Sequence, residues 1–138
     1  MSADSVWDVQ TGVFSTLTGN AALIALLAAG ANSVLDHVPA GTAFPYVVIG
    51  ESSSRPMDSQ RFSGNDVTLS IHTYSRGSGM QQSRRIMSAI YDALHDVSFA
   101  VPNQTLVLCQ CLETETMLDG DGATRHGIQR FQIITEPV

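Results

Sequence analysis

Several short patterns in this chain have residue types suited to chemistry. Asp119-Gly120-Asp121-Gly122 begins like a calcium loop, in which closely spaced carboxylates present hard oxygen ligands. The following Ala123-Thr124-Arg125-His126 lacks the further oxygen ligands and the closing glutamate, so a glycine-rich turn is the better reading. Gly77-Ser78-Gly79 stands before a helical pattern, where free backbone N–H groups could hold an anion. It lacks the Gly-Lys-Ser/Thr ending of a P-loop and has no Rossmann crossover around it, so a helix start explains it. Cys109 and Cys111 are the only cysteines. On a strand they share one face, at a spacing of roughly 7 Å that is poor for a disulfide. His37, His72, His95 and His126 show no metal-ligand spacing, so the cysteines read as packing residues.

A hydrolase needs Ser or Cys, His and an acid gathered in space, and no nucleophile elbow marks any of them here. A small hydrolase or ligand-binding domain using His72 and His126 with nearby acids remains the alternative from another functional class. It predicts a pocket with convergent polar groups and perturbed titration. Glu113 and Glu115 share one strand face and read as solvated positions on the way to a hairpin tip. Arg55, Met57, Asp58, Arg61 and Phe62 fall in one polar stretch. An aromatic and a methionine set among charges suit contact with another protein. No cofactor or metal is expected, and the chain reads as a non-enzyme.

The bulk properties agree. The chain has 138 residues, 43% of them hydrophobic, which predicts one globular domain over residues 1–138. A formal charge of −6 argues against nucleic acid as a primary partner. All seven basic residues are arginines, which suit fixed bidentate contacts better than loose solvation. The N-terminus lacks the basic and apolar regions of a signal peptide. The longest apolar run, Ala21 to Ala29, is far short of the ~20 residues of a membrane span, so no membrane partner is expected.

The periodicity sets an order of elements. A first helix starts at Asp4 or Ser5 and carries Val6, Val9, Val13, Phe14 and Leu17 on one stripe. A short apolar helix runs from Ala21 to Ala29 and ends at Gly30. Ser33 to Val38 reads as a strand, and Pro45 opens another through Tyr46, Val47, Val48 and Ile49. Ser52 to Asn65 reads as a polar loop or an extended hairpin tip. Asp66 to Tyr74 alternates, with Val67, Leu69 and Ile71 inward. A long helix over Met80 to Leu94, with Ser78 as N-cap, carries Ile86, Met87, Ile90, Tyr91, Ala93 and Leu94 on its apolar stripe. Two strands, Leu106 to Met117 and His126 to Thr135, flank the Asp119 turn. Helices on one face of a mainly antiparallel sheet, closed by a long C-terminal β-hairpin, make this an α+β fold.

In this order the segments resemble the tail-terminator, or tail-completion, family of long-tailed phages and of gene transfer agents. The likeness is carried by the Val6 to Leu17 and Ala21 to Ala29 helices, by Val34-Leu35-Asp36-His37-Val38-Pro39, and by Phe44-Pro45-Tyr46-Val47-Val48-Ile49-Gly50-Glu51. It continues through Val67 to Ser75, the Ile86 helix, Asp119 to Gly127, and Arg130-Phe131. It implies a structural virion protein: a homohexameric ring capping the head-proximal end of the tail tube. Such a ring stops tube growth and joins the tail tube protein to the head-closure or connector protein. DNA passes through without specific binding, and no catalytic residues are implied. Assembly would take place in the host cytoplasm, and the ring would end at the head–tail junction of the particle. Ring and tube contacts are expected from the Arg55 to Phe62 stretch and from Asp119, Asp121 and Arg125 on the hairpin. A head-closure ring or a tube subunit is the nearest alternative.

Overall fold

The computed structural model describes residues 5–59, 63–77 and 79–138. Its elements are helix α1 (Val6–Thr18), helix α2 (Ala21–Ile24), strands β1 (Val34–Leu35), β2 (Tyr46–Asp58) and β3 (Ser63–Ser75), helix α3 (Gln81–Leu94), and strands β4 (Gln104–Leu118) and β5 (Arg125–Pro137). The strands form one five-stranded sheet in the order β1-β2-β3-β5-β4. β1 runs parallel to β2, and all other pairs are antiparallel. The fold is α+β, as the alternation and helical stripes predict.

Side-chain alternation splits the sheet into two faces. Val47, Ile49, Val67, Leu69, Ile71, Phe131 and Ile133 point to the face covered by helices, where they join Val9, Val13 and Leu17 of α1 and Ile86, Ile90 and Leu94 of α3. Gln129 anchors α3 from the same side, its Nε2 donating to the Met87 carbonyl at 2.9 Å. Thr135 does the same for α1, its hydroxyl donating to Ser5 Oγ at 2.9 Å. Ser5 is the N-cap residue, but its side chain is committed to this contact and does not cap the helix. Cys109 and Cys111 pair in register with Ile133 and Phe131 and are free thiols, the first buried and the second half-buried. Burial pushes the Cys109 thiol up to about 12, with Cys111 and Asp96 adding to it, so it packs as a small apolar group.

Several expected elements change in length. The apolar helix over Ala21 to Ala29 shortens to Ala21–Ile24. Beyond it the bonds tighten, with Leu26 N–H donating to the Leu23 carbonyl, and Ala28 N–H leaves the helix to bond Pro45. The strand over Ser33 to Val38 is reduced to Val34–Leu35. Of the two readings of Ser52 to Asn65, the extended hairpin holds among the described residues: β2 and β3 stay paired to Asp58↔Ser63. The central position of β3 holds its polar end in the ladder, because β5 pairs with it as far out as Asn65↔Thr135. Phe14 and Tyr91 lie at the margins of their stripes and are 42% and 40% exposed rather than buried. Met80 takes the N-cap position of α3, while the proposed caps Asp4 and Ser78 lie outside the described residues.

Asn20 caps the short α2, its Oδ1 accepting from Leu23 N–H at 2.9 Å. Asn20→Ala is expected to cost about 1 kcal/mol, the usual value of an N-cap side chain. Chemical denaturation would show it, and an unchanged midpoint would mean that burial of Leu23 alone holds this turn.

Candidate functional site

The expected contact residues fall at opposite ends of the sheet. Arg55, Met57 and Asp58 lie on the outer half of β2, exposed, next to the β2–β3 tip. Arg55 Nη2 reaches Asp66 Oδ2 at 3.4 Å, and Gln132 Nε2 donates to the same oxygen at 3.1 Å. Ser63 Oγ donates to Asp58 Oδ1 at 3.1 Å across the strand ends. Arg61 and Phe62 lie outside the described residues. Asp119 and Asp121 occupy the β4–β5 turn, and Arg125 begins β5 opposite Ser75 and Leu118. About ten residues of β3 separate the two groups, roughly 30 Å at the rise of a strand.

The turn is built by Asp121. Its Oδ1 accepts from Ala123 N–H and Thr124 N–H at 2.9 and 2.8 Å, and its Oδ2 from the Thr124 hydroxyl at 2.6 Å. The Thr124 hydroxyl bond, then the two backbone bonds, hold this carboxyl well below the usual carboxylate range. Both oxygens are thus used by the turn itself, which settles it as a hairpin turn. Among the described residues no group of three or more His, Cys, Asp or Glu is placed to hold a metal ion, and no helix is long and apolar enough to cross a membrane.

The face of the sheet away from the helices gathers residues that the sequence leaves scattered. Phe44, Tyr46, Tyr74 and His126 follow one another with ring centroids 5.0, 5.2 and 4.4 Å apart, and His72 lies 4.9 Å from His126. The Arg76 guanidinium sits 4.2 Å over the Phe44 ring. His72 Nδ1 meets His126 Nε2 at 2.7 Å, and His72 Nε2 meets Glu51 Oε1 at 2.7 Å. His126 Nδ1 lies 3.6 Å from Asp119 Oδ1. Glu51 reaches this face through a β-bulge: the register slips between Ile49 and Ser52, so Gly50 and Glu51 together span one step of the ladder. Gly50 itself makes room, because a Cβ there would stand 2.6 Å from His72 Cδ2. Strict alternation would have sent Glu51 to the helix side, which is why sequence reasoning missed it.

Further along the same face, Arg130 Nη1 lies 2.5 Å from Glu113 Oε1 and 3.6 Å from Glu115 Oε1. The two glutamates are solvated, as expected, and in addition flank a guanidinium. β4 forms one edge of the sheet and carries two more bulges, between Leu106 and Leu108 and between Cys111 and Glu113. The extra residues, Val107 and Leu112, are 51% and 54% exposed, an apolar display on a free edge. On the other side β1 covers only Val47 and Val48 of β2, leaving the rest of that edge open among the described residues. The sheet thus ends in two unpaired edges, the usual place for another chain to pair.

A profile of the tail completion protein gp17 family matches residues 11–136. The chain belongs to the tail completion protein gp17 family. The tail completion protein gp17 of Bacillus phage SPP1 is 29% identical over 97 residues, covering 70% of this chain and 72% of that protein. Among solved structures, a chain of the virion of a native gene transfer agent particle superposes with a TM-score of 0.86 at 21% identity, covering 98% of this chain and 99% of its own. The structure of bacteriophage SPP1 gp17 superposes at 0.63 with 23% identity, covering 96% and 95%. At these identities the structural likenesses show a shared fold. The resemblance read from the segment order is therefore to the right family, and the sheet face, its free edges and its two ends are features of a tail-completion chain.

Proposed function

We propose that this chain is a structural, non-enzymatic virion protein. It forms a homohexameric ring on the head-proximal end of the tail tube, stops tube growth, and joins the tail to the head-closure or connector protein. The observation that carries this reading is the family match across residues 11–136, joined by the superposition, over nearly the full length of both chains, on a component of a gene transfer agent particle.

The geometry supports such a role. Ring contacts between identical chains are heterologous, one patch meeting a different patch and closing by rotation. Two dissimilar unpaired edges, the bulged β4 and the outer half of β2, supply such a pair. The ends of the sheet carry distinct sets of side chains, Arg55, Met57 and Asp58 at one and Asp119, Asp121 and Arg125 at the other, as a part with one neighbour above and another below requires. An acidic chain offers little phosphate neutralisation, so DNA would pass through the ring without specific binding. Assembly would precede particle completion in the host cytoplasm. The paired imidazoles of His72 and His126 contact each other and carboxylates, and the proposed role gives them a structural part, linking neighbouring strands.

Deleting the gene in a producing strain and imaging the particles tests the proposal. Overlong or unattached tails beside full heads are expected. Leaking or empty heads without tails would assign the chain to head closure instead, and normal particles would remove it from the virion.

A further inference from the structure

The Glu51–His72–His126–Asp119 chain carries an inference independent of the ring. Its members come from the β2 bulge, β3, β5 and the β4–β5 turn, so it ties three neighbouring strands to the turn. Two hydrogen bonds of 2.7 Å, Glu51 to His72 Nε2 and His72 Nδ1 to His126 Nε2, and a longer contact of 3.6 Å, His126 Nδ1 to Asp119, join four ring nitrogens and two carboxylates. Each hydrogen bond takes one proton, so two neutral imidazoles satisfy both. A third proton, on His126 Nδ1, brings the pair to a total charge of +1 and makes the Asp119 contact an ion pair. The pair with a charge of +2 brings four, and the 2.7 Å link between the rings would then hold two N–H groups pointing at each other.

We infer that His72 and His126 act as one unit that holds a single added proton between two carboxylates, and that a second added proton breaks their mutual hydrogen bond and parts the two rings on the open sheet face. The charged groups around the pair set the balance. Glu51 comes from β2 and Asp119 from the turn; Arg76 follows β3 and lies 3.4 Å from Asp121; Arg130 of β5 is near enough to act on Glu51. Tyr46 of β2 and Tyr74 of β3, whose hydroxyls burial pushes up, stay neutral beside the rings. Met117 is the β4 residue opposite His126 and adds no charge. The helices pack on the other face, where Gly127 and Gln129 meet Met87.

The titration directions agree with this geometry. Burial, and next the neighbouring His72 charge, lower the pKa of His126. The hydrogen bond from His72 comes first among the causes that lower Glu51. A histidine in the unfolded chain takes its proton near 6.5, and His126 in the fold takes it only at lower pH. Between those two values the unfolded state binds more protons, so stability falls as the pH drops from about 6.5.

The test is a pH titration of the full-length chain followed by nitrogen and carbon resonances of the imidazoles. The pair should take up protons in two steps about one pH unit or more apart, both rings responding to the first. Gly50→Ala keeps both histidines but pushes His72 away from its place, and should merge the two steps. In His126→Gln only one imidazole step should remain at this face. Two wild-type rings that titrate independently with overlapping midpoints would overturn the inference. The wild-type titration decides even if a variant fails to fold.

Discussion

Phe131→Ala should destabilise the chain by about 3–5 kcal/mol, the range for removing a fully buried aromatic ring. Phe131 is 0% exposed and is the largest of the completely buried side chains. It stands on the second-innermost strand, opposite Leu69 on one side and Cys111 on the other, with Ile86 and Ile90 of α3 in the same core. No single neighbour can collapse into the space, because the sheet is held by its ladders and α3 by Gln129. Natural domains have only about 5–15 kcal/mol in hand, so the variant would sit near the threshold of folding. Urea denaturation measures it: at about 1–3 kcal/mol per molar, the midpoint should drop by one molar or more. Leu112→Ala is the control. Leu112 follows Cys111 on the same strand but is 54% exposed on its bulge, and its loss should stay within about 1 kcal/mol. Equal losses in the two variants would mean that the core does not centre on Phe131.

Gly12→Ala should also destabilise, against the ordinary sign of that change. Inside a helix, replacing Gly by Ala gains about 1 kcal/mol of propensity. At Gly12 the new Cβ would stand 2.7 Å from the Ala100 carbonyl oxygen and 3.2 Å from Val101 Cα. These are backbone atoms, and their segment is tied down nearby. Val101 bridges to Gln104, and Asn103 and Gln104 both donate to Asp8, at 3.4 and 3.3 Å. Overpacking against a fixed backbone costs roughly 1–3 kcal/mol, so the clash outweighs the propensity gain and the melting temperature should fall. A rise would show that residues 100–101 can shift freely.

Both outcomes rest on packing that the sequence shows only in part. The apolar stripes of α1 and α3 were legible, because Val9, Val13 and Leu17, like Ile86, Ile90 and Leu94, recur at helical spacing and end in the core. The hairpin turn at Asp119 to Gly122 was legible from its composition. Gly12 was not, because a glycine in a helical stripe gives no sign of what approaches it. The outer hairpin was read as a loop or an extended tip, since Ser52 to Asp58 has little β-propensity of its own. Its pairing is decided by β3, which is fixed from the other side by β5.

The sequence singled out two groups of candidate contact residues, and only the structure gave their separation along the sheet. His72 and His126 were paired only within the alternative hydrolase or ligand-binding reading, with unnamed nearby acids, and Glu51 was not singled out as one of them. Their meeting depends on a strand order that places β5 between β3 and β4, and on a bulge that redirects one side chain. The sequence by itself determined the α+β class and the order of elements, because these follow from periodicity and local turn chemistry that each segment carries within itself, and the likeness of those segments in their order pointed to the family. The tertiary structure alone decided the strand order, the bulges and the meeting of His72 with His126. Those depend on which distant segments pair, and no local pattern encodes a partner some 50 residues away.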